Sequence, residues 1–271
     1  MSFYEQKFTD LLVSLKNSVL TLTLNRPTLK NAFSIEMIES LVTVLNHANF
    51  DSTVRVVIVT GAGDGFCSGG DLKEMNERSG MFHGSSSDLR EHYMKGIQQL
   101  PLTFSSLQVP TIAMVNGAAV GAGCDLALMC DFRIAATNAR FGETFSYLNL
   151  APGTGGAYNL VKLVGLSKAM EIVLLGKIYS AEEFKAFNLV NEVVPLNELK
   201  TKTDELVQLI LSRPPLSIKM TKRALQLASE MTLKSHLELI SSYQAILQRS
   251  NDHFEALDSM KEKRAPKFTA T

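Results

Sequence analysis

The chain has 271 residues with 27 basic and 27 acidic side chains, so it suits one α/β domain or a core with an appendage, and it carries no charge footprint for nucleic acid or an anionic membrane. Cys67, Cys124 and Cys130 lie in apolar or glycine-rich surroundings without paired spacing, which argues against a zinc site or disulfide framework and for a reducing compartment. Residues 1–10 are interrupted by Glu5, Lys7 and Asp10, and the apolar stretch 111–124 is too short to span a membrane. The expectation is a cytoplasmic protein that meets small molecules or copies of itself.

Residues 11–15 and 19–24 alternate apolar and polar side chains around Lys16-Asn17-Ser18, which predicts a hairpin of half-buried strands. Ser34 caps a predicted helix in which Ile35, Ile38, Leu41, Val42 and Leu45 recur at helical spacing, and the apolar run 54–59 predicts a strand covered on both faces. The pattern recurs with a strand at 111–115, a short helix at 124–129 and a strand at 132–135. Residues 79–88 are rich in Gly and Ser and read as a loop. From residue 165 onward the chain reads as helical apart from a strand at 189–194, with breaks at Pro214-Pro215 and Asn251-Asp252.

Two glycine-rich segments follow strands and open helices: Phe66-Cys67-Ser68-Gly69-Gly70-Asp71-Leu72-Lys73, and Asn116-Gly117-Ala118-Ala119-Val120-Gly121-Ala122-Gly123-Cys124-Asp125. Small residues at such places expose main-chain N–H groups at a positive helix end. Two loops of this kind can aim two donors at one oxygen and stabilise an oxyanion. Neither segment has the spacing of a dinucleotide or phosphate loop, and Gly65 lies one residue too far from Ser68 for a nucleophile elbow. The histidines His47, His83, His92, His236 and His253 form no metal-ligand pattern and read as surface or loop residues.

With Leu24-Asn25-Arg26-Pro27, Asn31-Ala32-Phe33, Cys130-Asp131-Phe132-Arg133-Ile134-Ala135 and Phe141-Gly142, these segments resemble the enoyl-CoA hydratase/isomerase (crotonase) superfamily in order and spacing, from about residue 11 to residue 268. The resemblance implies an α/β spiral of ββα units over residues 1–200 and a helical trimerisation region over 201–271, assembled as a homotrimer or dimer of trimers. It implies an acyl-CoA thioester substrate, with CoA arriving as part of that substrate and no separate cofactor. It further implies that the N–H groups of Gly70 and Ala122 form the oxyanion hole. Cys67, Ser68, Asp71, Leu72 and Lys73 would line the CoA-binding turn, with Arg26, Lys30 and Lys263 reaching toward CoA.

Family hydratases carry two glutamates at positions that match Asp125 and Phe145 here, and some isomerases place an acid at the position matching Gly153. Asp125 keeps a carboxyl on a shorter stem, and Phe145 and Gly153 carry none. Glu143 is the available substitute, since it would share the face of Phe145 if the segment were extended, and Phe145 would then wall the acyl pocket. The expected reaction is hydration or double-bond isomerisation of an enoyl-CoA, with Asp125 and Glu143 moving protons. The alternatives are hydrolysis, decarboxylation or C–C cleavage of an acyl-CoA through the same oxyanion site, or a catalytically degenerate acyl-CoA-binding protein.

Overall fold

A computed structural model describes residues 3–271; Met1 and Ser2, the head of the segment read for a secretory signal, lie outside the described residues. Strands β1 (Leu11–Lys16) and β2 (Val19–Leu24) form the expected hairpin, with Leu11 opposite Leu24 and Lys16 opposite Val19. Asn17 and Ser18, both at positive φ, make its turn. The Ser34 hydroxyl accepts the Met37 N–H and starts helix α1 (Ile35–Phe50), which buries Met37, Ile38, Leu41, Val44 and Leu45. Strand β3 (Val56–Gly61) is buried at every position because both its faces are covered. Val57 and Val59 join the large core with α1, while Val56 and Ile58 join a second cluster on the other face.

Helices α2 (Leu72–Glu77), α3 (Ser86–Lys95) and α4 (Gln99–Ser106) precede β4 (Thr111–Val115), β5 (Ala118–Val120), α5 (Ala122–Met129), β6 (Phe132–Ala136) and β7 (Arg140–Gly142). After them come α6 (Gly156–Leu175), β8 (Tyr179–Ser180), α7 (Ala181–Ala186), β9 (Glu192–Val194), α8 (Leu199–Leu211), α9 (Pro215–Leu227), α10 (Leu233–Leu247) and α11 (Asn251–Glu262). The main sheet runs β1-β2-β3-β4-β6-β9 and is parallel from β2 onward, while β5, β7 and β8 form a separate small sheet. Successive strand, strand, helix turns therefore wind around one core, and the loops at the strand ends are brought together.

Several boundaries differ from the sequence reading. Residues 79–88 are not one loop: Gly80–Phe82 is a 3-10 turn, and Ser85 with Asp88 forms a capping box that starts α3. The strand expected at 189–194 shortens to Glu192–Val194, the helix expected from 124 begins at Ala122, and the helical region expected from 165 begins at Gly156. Leu199 and Val207 of α8 pack against Val56, Ile58, Ile112 and Ile134, so α8 closes the second face of the sheet and the boundary expected at 200 falls inside it. Helices α9 to α11 leave Leu225, Leu233, Leu237, Ile246 and Met260 exposed. Among the described residues no helix is long and apolar enough to cross a membrane, and no cluster of His, Cys, Asp and Glu could hold a metal ion.

Candidate active site

The two glycine-rich loops meet because asparagines tie down the chain behind them. Asn31 Nδ2 donates to Ala62 O and Gly65 O, both at 2.9 Å, and Asn116 Nδ2 donates to Gly61 O and Gly63 O, both at 3.0 Å. Single bridges then pair Cys67 with Ala119 and Phe33 with Gly70. Gly69 has a φ of 87°, and a Cβ there would lie 2.8 Å from Val120 O and 3.0 Å from Ala122 N, so only glycine lets the first loop rest on the second. Gly121, with a φ of 54°, turns the second loop into α5 while its N–H donates to Gly142 O at 2.8 Å.

This contact sets Gly70 and Ala122 side by side in the wall of a cavity of about 970 Å³. Ala122 is the first residue of α5, so its N–H has no partner within the helix and points along the positive end of the helix dipole. Among the described residues, neither the Gly70 N–H nor the Ala122 N–H donates to a main-chain acceptor. Both remain available to an oxygen in the cavity.

Of the other expected ligand contacts, Lys30, Ser68, Asp71, Leu72, Lys73 and Phe145 line the cavity. Cys67 does not: it is wholly buried, its thiol donates to Asn31 O, and its N–H and carbonyl bond Ala118 and Val120. Burial pushes that thiol up to about 12. Arg26 also faces inward, with Nη1 donating to Ala32 O at 2.8 Å and its guanidinium 3.6 Å from both Asp10 and Asp71. The Lys30 ammonium is held by Asp64 at 2.8 Å, and the Asp71 carboxylate caps α2 by accepting from Lys73 N and Glu74 N. Lys263 lies exposed in the left-handed cap of α11 and is not part of the cavity wall. Phe145 lines the wall near the second glycine-rich loop, its Cζ 3.8 Å from where a Cβ on Gly121 would stand.

Asp125 and Glu143 are brought together, but behind the wall. Both are wholly buried, and neither lines the cavity. The segment after Glu143 is a 3-10 helix, Thr144–Leu148, so Glu143 turns into the protein while Phe145 faces the cavity, and the shared face expected of an extended segment is lost. The carboxyls converge on Gly156 at the start of α6: a Cβ there would lie 1.7 Å from Asp125 Oδ1 and 3.1 Å from Glu143 Oε2. Glycine is required because the carboxyls occupy the space of its side chain.

No described donor is aligned well enough to hydrogen-bond either carboxyl. The Thr154 hydroxyl and the N–H groups of Thr154 and Gly156 nevertheless face Asp125 closely enough to favour its charged form, and we read them as long, poorly angled contacts. Burial outweighs them and pushes Asp125 up to about 6. Burial first, and then the neighbouring Asp125 charge, holds Glu143 well above the usual carboxylate range. Two buried carboxyls that cannot both ionise cheaply share one proton at neutral pH. Thr154, only 1% exposed, lines the cavity and stands between this pair and the open space.

The sequence reading missed Thr154, Gly156 and Tyr93, the last of which lines the cavity from α3. A signal existed for the first two, since Gly153-Thr154-Gly155-Gly156 is a third glycine-rich run opening a helix. His83 and His92 also line the cavity with ring centroids 4.4 Å apart, so the surface or loop assignment fails for the half-buried His92.

The family model described as enoyl-CoA hydratase/isomerase matches residues 14–271. Over 259 residues the chain is 36% identical to the 1,2-epoxyphenylacetyl-CoA isomerase of Escherichia coli (strain K12), covering 96% of this chain and 98% of that protein. It is 34% identical to the 2,3-dehydroadipyl-CoA hydratase of the same strain, again over 96% of this chain and 98% of that protein. Among solved structures, the enoyl-CoA hydratase from Bacillus anthracis has a TM-score of 0.90 at 33% identity, covering 97% of this chain and all of that one, 100%. The α/β spiral with a helical C-terminal region is therefore the fold of the chain.

Proposed function

Because the chain belongs to the enoyl-CoA hydratase/isomerase family, we propose that it hydrates, or shifts the double bond of, an enoyl-CoA thioester through an enolate held by the N–H groups of Gly70 and Ala122. The observation that carries this reading is the pair of unpartnered main-chain donors side by side in the cavity wall. A thioester oxygen between them gains negative charge as a proton leaves Cα or a nucleophile adds to Cβ. Donors fixed beforehand stabilise that charge without reorganising. The Asp125–Glu143 pair supplies both a base and an acid, with the Thr154 hydroxyl as the intermediary on the cavity side. CoA enters as part of the substrate, and this scheme needs no separate cofactor.

The exposed apolar side chains of α9 to α11 support assembly as a homotrimer or a dimer of trimers, since closed symmetry buries such faces. The free, buried thiols support a reducing compartment, the cytoplasm in our reading. A second reading, an acyl-CoA-binding protein without turnover, is favoured by one observation only, that neither carboxyl lines the cavity.

Incubation with a panel of enoyl-CoA thioesters in parallel in heavy-oxygen water and in D2O, followed by mass spectrometry, separates the outcomes. Label at Cβ marks hydration, and a moved double bond with deuterium exchange at Cα marks isomerisation. Label in a released acid would replace both with hydrolysis. Tight binding with no product from any thioester would leave the binding protein.

A further inference from the structure

Neither Asp125 nor Glu143 lines the cavity, so an oxygen adding to Cβ needs a holder from another residue of the wall. Tyr93 of α3 stands at the right place. A Cβ on Gly153 would lie 2.7 Å from Tyr93 Cε1, 3.3 Å from Cδ1 and 3.6 Å from Cζ, so the Tyr93 ring occupies the space that a side chain at 153 would need. Gln98 fastens the two together: its N–H donates to Tyr93 O at 3.0 Å and its side chain donates to Gly153 O at 3.2 Å. The next residue is Thr154, which faces Asp125. Tyr93 and Asp125 thus reach adjacent residues of one loop, and both Tyr93 and Thr154 line the cavity.

We propose that Tyr93 holds the oxygen added to Cβ, the attacking water in one direction and the β-hydroxyl in the other, so that hydration is the reaction of this site. Burial alone raises the phenol's pKa, with no charged or hydrogen-bonding neighbour contributing, so at neutral pH it keeps its proton and can donate it in a hydrogen bond. The inference rests on the enolate reading above. In the step itself the water oxygen bonds to Cβ while the Cα–Cβ π pair shifts toward the carbonyl and the C=O pair moves onto the oxygen held by Gly70 and Ala122. The water proton passes to the ionised member of the Asp125–Glu143 pair. The protonated member then returns a proton to Cα, which restores the carbonyl and the shared proton. Tyr93 forms and breaks no covalent bond.

Tyr93→Phe keeps the ring beside Gly153 and removes only the hydroxyl. Hydration of crotonyl-CoA and longer enoyl-CoA thioesters should slow in kcat by about 10-fold to 100-fold, with KM nearly unchanged. Exchange of the Cα protons of butyryl-CoA in D2O, which needs the oxyanion donors and the carboxyl pair but no added oxygen, should stay at the wild-type rate. Gly153→Ala should push the ring aside and slow hydration similarly, yet add nothing in the Tyr93→Phe background. Wild-type hydration by Tyr93→Phe, or equal loss of hydration and exchange, overturns the role of Tyr93. A wild-type protein that exchanges Cα protons but neither hydrates nor dehydrates overturns it too, while sparing the enolate reading. Failure of both exchange and turnover overturns the two together.

Discussion

The two halves of the candidate site are built from different parts of the chain's chemistry. The proposed oxyanion half, Gly69-Gly70 against Gly121-Ala122, is main chain: glycine conformation, a helix start and asparagine clamps set two unpartnered N–H groups at the cavity wall. The proposed proton-moving half, Asp125 with Glu143, is side chain and lies behind the wall, packed against Gly156 and screened by Thr154. Main-chain donors survive any substitution but proline that spares the fold, whereas a carboxyl can be moved or lost one residue at a time. One scaffold can therefore retain its oxyanion hole while its acids change place.

The largest effect should come from the side-chain half. Asp125→Asn should bind acyl-CoA nearly as the wild type does in calorimetry, while kcat falls by about 10²–10⁴-fold. Wild-type kcat/KM should also fall as pH drops through about 6, where Asp125 gains its proton and the base is lost. Full activity in both Asp125→Asn and Glu143→Gln would break the comparison and leave the main-chain half as the sole catalytic device. Gly70→Pro removes one donor and should lower turnover by about 10²–10³-fold, with circular dichroism to confirm the fold. Activity within a few-fold of wild type would show that the Gly70 N–H is not a donor.

A smaller effect concerns stability. Folding raises the Asp125 pKa from 3.8 to about 6, so the folded state binds more protons than the unfolded one between those values, and the wild type loses stability as pH rises through that window. Below it both states are protonated and no penalty remains. Asp125→Asn carries no such penalty and should be more stable than the wild type at pH 7, on the order of 2–3 kcal/mol, with the gain gone near pH 4. Chemical denaturation at the two pH values reads this directly. An equal difference at both would assign it to packing.

The parts of the fold that were legible in the sequence are those where one local pattern suffices. Alternation gave the β1–β2 hairpin, and the Ser34 cap with its apolar spacing gave α1. The small sheet was not legible, because its strands hold three, three and two residues, too few to show a period. At the site, the two glycine-rich loops were legible as local patterns, and the fold brings their Gly70 and Ala122 into one cavity wall. The inward turn of Glu143 depends on a 3-10 helix that the segment Thr144–Leu148 does not advertise. Tyr93 meets Gly153 only because α3 and the loop before α6 are folded onto one cavity, a contact that no local pattern encodes.

Arg133 shows how far from the cavity the Ala122 N–H is aligned. It is 4% exposed and has no carboxylate partner at ion-pair distance among the described residues; instead Nε donates to Leu189 O at 2.6 Å, and Nη1 donates to Ala127 O and Cys130 O near the end of α5. A cation at that end suits the negative pole of the helix. Helix α5 has 8 residues and so spans only about 12 Å, which makes it a short stiff lever with Ala122 at one tip and this guanidinium grip at the other. Hydrogen-bond strength falls steeply with angle, so play at the gripped tip becomes misdirection of the N–H at the working tip. The direction of an N–H at the cavity wall is thus fixed in part by a buried cation that does not line the cavity.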